Sequence, residues 1–299
     1  MSKVLITGGS GLVGQRLTER LQQKGYEVIH VGRTARSKPV ATYAWEISEN
    51  KLDPMVFEGI DHVVHLAGAG VADKAWSLSR KQEIMNSRVK GTELLLDAMD
   101  YQAKKPKTLI AASAIGFYGN AGMALCTEES AAGPDFLADV CKAWEAAAAP
   151  ADAFTRRCTV RIGIVLSEKG GALPKMMLPF KLFSGSVLGS GKQMMSWIHL
   201  DDLCDMIIYL IENEHCQGAY NAVAPLPVAH YSFMKALGHT MKRPLWMWVP
   251  GFALKLVLGE MAATVLASQF VSNEKIQQAG FRFEYENVYK ALKQLLQKG

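Results

Sequence analysis

Short apolar runs and longer amphipathic stretches take turns along the first half of the chain. KVLITG is a continuous apolar run of strand length, and GLVGQRLTERLQQKG repeats its apolar positions at helical spacing before Gly25 closes it. YEVIHVGR reads as a second strand and HVVHLAG as another, followed by a long helix over SRKQEIMNSRVKGTELLLDAMDYQ. KTLIAASA and RCTVRIGIVL are further strands, with the helix DFLADVCKAWEAAA between them. Apolar strands that alternate with helices predict a parallel sheet covered on both faces. Right-handed crossovers then make the fold class α/β, a doubly wound parallel sheet with ligands at the carboxyl ends of its strands.

After Leu166 the texture changes. GGALPKMMLPFKLFSGSVLGSGKQMMSW is rich in Gly, Met and Pro, shows no clear period, and reads as a lid or substrate-side insertion. WIHLDDLCDMIIYLIEN restores a strand end and a helix, with Asp201 or Asp202 expected as the cap. GAYNAVA is a late strand, and AHYSFMKALGHTMKRP a helix stopped by Pro244. The expected domains are 1–166 and a smaller substrate-side region over 167–299, with 196–224 returning to the first. The most membrane-like stretch, WMWVPGFALKLVLGEMAATVLASQF, is interrupted by Pro250, Lys255 and Glu260 before about 20 apolar residues accumulate. A core or interface helix is expected there, and no membrane partner.

The first strand runs into TGGSGLVG, residues 7–14, where Gly8, Gly11 and Gly14 stand three apart. Glycine permits a sharp turn, close approach of a pyrophosphate to the backbone, and tight packing of helix on strand. Free N–H groups at the helix start would hold the phosphates. A strand before the turn and a helix after it make this the mark of an NAD(P)-binding Rossmann fold. Thr7, Gly8, Gly9, Ser10, Gly11, Leu12, Val13 and Gly14 are therefore cofactor-binding candidates. The second strand ends VIHVGRTARSK, with no carboxylate for a ribose diol. Gly32 and Arg33 stand at its tip with Arg36 and Lys38 close by, which favours NADP(H) over NAD(H) because a guanidinium matches a 2′-phosphate. The alternative is a solvated basic loop.

Composition adds limits more than leads. The 299 residues are 49% hydrophobic with a formal charge of +5, and no Lys/Arg block suggests nucleic acid. Five scattered cysteines without a C-x-x-C argue for reduced thiols, and no leader is visible, so a cytoplasmic location is expected. His62 and His65 are three apart on a strand and so face opposite ways. No metal site is expected, and there is no G-x-S-x-G elbow.

TGGSGLVG, HLAGAG (65–70), RVKGTELLLDA (88–98), SAIGFYG (113–119) and RIGIVLS (161–167) resemble, in order, the motifs of an extended short-chain dehydrogenase/reductase. The chain is more similar still to an atypical branch, the epimerase-family proteins of the SDR39U1 and YfcH type. That likeness rests on DFLADVCKAWEAAA, GGALPKMMLPFKL, GSGKQMMSWIHLDDL and NAVAPLPV…FALKLVLGEMA…AGFRF. It spans the whole chain. It implies further cofactor contacts at Leu66, Ala67, Gly68, Glu83, Arg88 and Val165, with Arg88 where many extended members carry asparagine. For Glu83 and Arg88 a solvated helix face is the competing reading.

The resemblance also implies a Tyr-x-x-x-Lys pair on a helix, its lysine lowering the tyrosine pKa and holding the nicotinamide ribose. Ser113 is present at the end of the preceding strand, Lys142 is the candidate lysine, and Ala138 stands where the tyrosine is expected. Tyr118 in the GFYG turn is the nearest substitute proton donor, unless it packs under its loop with its hydroxyl on backbone. His199 is expected to be a packed, hydrogen-bonded residue. Met176, Met177, Phe180, Phe183, Met194, Met195 and Trp197, with Lys175, Lys181 and Lys192, would form a substrate mouth or simply core. The expected function is an NADP(H)-binding oxidoreductase or epimerase-like protein acting on a small molecule, with a homodimer left open. The alternative is a non-catalytic NADPH-binding regulator or scaffold, linked by resemblance to division.

Overall fold

The apolar runs become strands because both faces of one sheet are covered. The computed structural model describes residues 1–297. Its main sheet contains β1 (Lys3–Thr7), β2 (Glu27–Gly32), β3 (Thr42–Glu46), β4 (Lys51–Leu52), β5 (His62–His65), β6 (Thr108–Ala114), β7 (Arg156–Ile162) and β8 (Gly218–Ala222). Their spatial order is β8-β7-β6-β5-β1-β2-β3-β4, and every pairing is parallel except β3 with β4. The chain winds outward from β1 both ways, so the ends of β1, β2 and β5 bound a crevice at the switch point.

Helices α1 (Leu12–Gln23), α2 (Leu78–Asp100), α3 (Phe136–Ala148), α4 (Ala172–Lys181) and α5 (Leu200–Glu212) follow in chain order. Val4 and Ile6 pack with Leu17 and Leu21 of α1 and with Leu203, Met206 and Ile207 of α5. Leu5 packs on the other side with Leu95 and Met99 of α2. That double burial is why KVLITG shows no polar alternation.

The cap of α5 is neither aspartate. His199 is the N-cap, its Nδ1 accepting the Asp201 N–H at 3.1 Å, and a ring nitrogen there leaves both carboxylates free for other work. Asp201 accepts Arg16 Nε and Nη2 at 2.6 and 3.0 Å, tying α5 to α1. Asp202 accepts the backbone N–H groups of Glu284 and Tyr285 at 2.9 and 3.0 Å. His199 stacks on Tyr285 with ring centroids 3.9 Å apart and bonds Gln294 through Nε2, a packed position.

The insertion after Leu166 is largely a third core. Phe180 of α4, Met195 and Trp197 are buried with Phe233 and Leu237 of α6 (His230–Met241) and Leu292 of the final helix, Val288–Leu296. Phe183 is instead exposed, and Met176 and Met177 are only partly buried. The stretch from Trp246 is not one helix. Leu245–Val249 pairs as a strand with Gly185–Leu188, and α7 (Gly251–Leu258) follows Pro250 and ends at Gly259, whose φ is +57°. Phe252, Leu256 and Val257 of α7 are exposed. Among the described residues, no helix is long and apolar enough to cross a membrane.

Candidate functional site

The turn between β1 and α1 is tight enough to require its glycines. Gly8 has φ +72°, and a Cβ there would lie 3.0 Å from Leu66 C and Ala67 N at the end of β5. At Gly14 a Cβ would come within 2.7 Å of Gly9 Cα, so helix and turn meet backbone to backbone. Gly11 caps α1 without any side-chain acceptor, leaving the first-turn N–H groups of Leu12, Val13 and Gly14 for an anion. A dinucleotide pyrophosphate fits this cradle in shape and in donor chemistry. Ser10 beside it is exposed, its carbonyl accepting from Gln15 at 2.9 Å. Val165 lies in Ile164–Leu166, paired with Trp197–His199, and its carbonyl stands 3.5 Å from where a Gly171 Cβ would be, next to Leu12.

Beneath the turn, Thr7 is occupied by the protein itself. Its Oγ1 bonds His65 Nδ1 at 2.7 Å and accepts the Ala67 N–H at 3.2 Å, while His65 Nε2 meets Thr92 Oγ1 at 3.0 Å. Burial drives the His65 pKa down to about 4, so its ring stays neutral. His62 packs edge-on to Tyr26 and His65 lies between Trp45 and Trp144, on opposite sides of the strand. Among the described residues, no cluster of three or more His, Cys, Asp or Glu could hold a metal.

Gly32 ends β2, and Arg33 follows it exposed, with Arg36 and Lys38 also exposed. Arg33 makes no ion pair among the described residues. Glu83 is exposed and accepts Arg80 Nη1 at 2.6 Å; that bond holds its carboxyl below the usual range, helped by the charges of Lys74 and Arg33. Arg88 departs from a solvated helix face. Its Nη1 donates to Ala69 O and Ile84 O, both at 3.0 Å, and its Cζ lies 5.0 Å from the Trp144 ring centroid.

On the β6 side, Ser113 is buried and its Oγ donates to Glu145 Oε1 at 2.6 Å. Arg161 grips the same carboxylate with two bonds of 2.9 Å, and its Cζ stands 3.6 Å from the Phe117 ring centroid. Burial works against the Arg161 charge, but Glu145 and Tyr118 outweigh it and raise its pKa. The Tyr118 hydroxyl is bonded to side chains, not to backbone: it donates to Asn221 Oδ1 at 2.6 Å and accepts from Arg161 Nη1 at 3.0 Å. Burial pushes its pKa up to about 12.

Ala138 and Lys142 do not present the helix face that meets this group. Lys142 is exposed and pairs with Asp139 at 2.6 Å, one turn earlier on α3. A Cβ on Gly116, three residues past Ser113, would lie 3.5 Å from Leu137 Cβ and 3.7 Å from Cys141 Sγ. Leu137, Cys141 and Glu145 thus form the facing stripe at four-residue intervals, one position earlier than Ala138 and Lys142. Ala138 is fully buried elsewhere in the helix packing. Burial raises the Cys141 thiol to about 11, so it stays protonated at neutral pH. Sequence reasoning missed Glu145 and Arg161. A charge inside the apolar run RCTVRIGIVL was the available signal for the second.

Comparison with known proteins agrees with this geometry. Residues 4–222 match the NAD dependent epimerase/dehydratase family, and residues 249–295 match DUF1731, a domain of unknown function. An epimerase family protein of Staphylococcus aureus is 37% identical over the whole of both chains. The chloroplastic SDR39U1 homologue of Arabidopsis thaliana is 36% identical, covering 98% of this chain and 86% of its own. The crystal structure of human epimerase family protein SDR39U1 with NADPH superposes with a TM-score of 0.91 at 30% identity, over 99% of this chain and all of that one. With its Rossmann sheet, glycine turn and C-terminal domain, the chain belongs to the NAD dependent epimerase/dehydratase family, as an NAD(P)-binding protein of the SDR39U1 kind.

Proposed function

We propose that this protein binds NADP(H) in preference to NAD(H) and acts as an oxidoreductase or epimerase-like catalyst on a small molecule beside Ser113. The observation that carries the cofactor preference is the tip of β2, where an unpaired Arg33 stands and no carboxylate does. A guanidinium suits a 2′-phosphate in charge and in fork geometry. The human relative's structure with NADPH supports the same preference. Gly8, Gly11 and Gly14 would hold the pyrophosphate, with Arg33 at the adenosine end. Bound there, the nicotinamide would give or take hydride.

The chain's own groups limit the proton chemistry beside Ser113. That serine spends its proton on Glu145, so its Oγ lone pairs are left to accept from a substrate hydroxyl. Leu137 has no proton to give, and Tyr118 is held between Arg161 and Asn221. The Cys141 thiol beside Ser113 keeps a proton but holds it tightly, burial raising its pKa to about 11, so solvent or the substrate is the readier source for turnover. That same stripe favours a second reading, in which NADPH is held without turnover.

Titration with NADPH and NADH tests the first half. NADPH should bind at least about tenfold more tightly, with Arg33→Ser narrowing the gap; equal affinities overturn the preference. Single-turnover oxidation of bound NADPH across aldehydes and ketones tests the second half. Loss of hydride to none of them overturns catalysis and leaves the second reading.

A further inference from the structure

Charge of one sign collects on the substrate side of the molecule. Residues 170–200 hold three lysines and residues 215–259 hold four Lys or Arg, and neither stretch contains an Asp or Glu. All seven side chains are exposed, and among the described residues none of them forms an ion pair. Arg16, Arg20, Arg157 and Arg161 of the Rossmann half are all paired. The first carboxylate beyond the basic stretch, Glu260, is spent on Lys81 of α2.

Large apolar side chains are exposed in the same place. Leu256 and Val257 of α7 are 83% and 82% exposed, and Phe252 and Trp246 each 70%. No residue of α7 is buried. Contacts join these side chains to the cations. Trp246 Nε1 donates to the Phe183 carbonyl at 2.8 Å, and the Phe183 ring lies 4.4 Å from Arg243 Cζ. Trp248 stacks on Tyr231 and donates to the carbonyl of Gly189, three residues before Lys192. Pro250 then leads straight into α7, where Lys255 is exposed between Phe252 and Leu256. An apolar patch of this kind, left in water, marks an interaction surface.

The charge selects the occupant. A second copy would bring the same cations against these, with no carboxylate in either stretch to meet them. Anionic headgroups supply the missing charge. The acyl boundary beneath them accepts side chains that stand out singly, which a folded partner could take only with a matching cavity. Both indole N–H groups are already satisfied by protein carbonyls, so the Trp246 and Trp248 rings can meet lipid without stranding a donor. Pro250 and Lys255 stop this stretch from spanning a bilayer, but lying on a surface needs no unbroken apolar helix. We propose that the face formed by the strand Leu245–Val249, α7 and the turn at Phe183 docks on an anionic membrane surface. Phe252, Leu256 and Val257 enter the acyl boundary, and Lys192, Arg243 and Lys255 lie among the headgroups.

Co-sedimentation of the full chain with vesicles tests this. Vesicles of phosphatidylcholine mixed with phosphatidylglycerol should bind it at least about tenfold more tightly than phosphatidylcholine alone, and added salt should weaken that binding. Leu256→Ser combined with Val257→Ser should weaken it by about tenfold or more, with the unfolding midpoint and NADPH affinity unchanged. Arg243→Gln combined with Lys255→Gln should narrow the preference for the anionic vesicles. No binding to the mixed vesicles, equal binding to both kinds, or full binding by the double serine variant overturns the proposal. A dimer that forms in place of vesicle binding, and is abolished by the same two serines, assigns the face to a second copy and overturns it as well.

Discussion

The glycine turn and the Ser113-facing stripe of α3 specify their sites in opposite ways. At the turn the backbone is the instrument: Gly8 and Gly14 matter for the atoms they lack, and almost any side chain would strike main chain. On α3 the side chains are the instrument, and the helix would form equally well with other residues at 137, 141 and 145. A backbone site is therefore written in spacing. A side-chain site is written in identity and register together, and a shift of one residue rewrites it.

The contrast breaks most sharply at Glu145. Among the described residues it is the single carboxylate partner of Arg161, whose side chain is only 6% exposed, so Glu145→Ala should cost about 3–5 kcal/mol in urea unfolding by leaving that guanidinium without its counter-charge. A loss below about 1 kcal/mol would mean that solvent reaches Arg161 and that the reaction side is no buried ion-pair core. The turn side should instead show itself through pH. His65 has its folded pKa depressed from 6.5 to about 4, so its contribution to stability is present above pH 6.5 and is lost as pH falls toward 4. The loss should be on the order of 3 kcal/mol, and His65→Gln should flatten that part of the profile. An unchanged slope in His65→Gln would assign it to other buried histidines such as His30 or His230. The smallest effect is expected at Lys142. Its exposed pair with Asp139 should be worth under about 0.5 kcal/mol, and Lys142→Ala should leave NADPH affinity as it was. A tenfold weakening of NADPH would put Lys142 back at the ribose.

These differences also explain what could be read from sequence. The strand–helix alternation and TGGSGLVG were legible because burial on two faces and close backbone approach each leave a local pattern. Arg33 was legible as the residue at a strand tip. The register of α3 was not, because FLADVCKAWEAAA is apolar around most of its circumference, covered by α2 on one side and by the β6 end on another. Spacing of four fits 138 with 142 as well as 137 with 141, and the eye follows the lysine. Tyr118 was misread for a different reason: its partners Arg161 and Asn221 lie 43 and 103 positions away, and nothing near GFYG announces them. The α5 cap was misread because two aspartates follow a histidine that can accept just as well through Nδ1.

The Asp202 carboxylate carries a consequence for how the chain is made. Its two backbone donors come from residues 82 and 83 positions later, after all eight strands of the main sheet have been synthesised. A nascent chain can therefore complete its sheet while α5 still lacks its final partners. The α1–α5 layer, tied by Arg16 to Asp201 and by Arg20 to Asp205, needs no residue beyond α5 for those bonds and can close on the sheet before Asp202 meets Glu284 and Tyr285. Arrival of residues 284 and 285, well after the sheet is complete, is the step that satisfies the Asp202 carboxylate, which α5 turns toward the later segment.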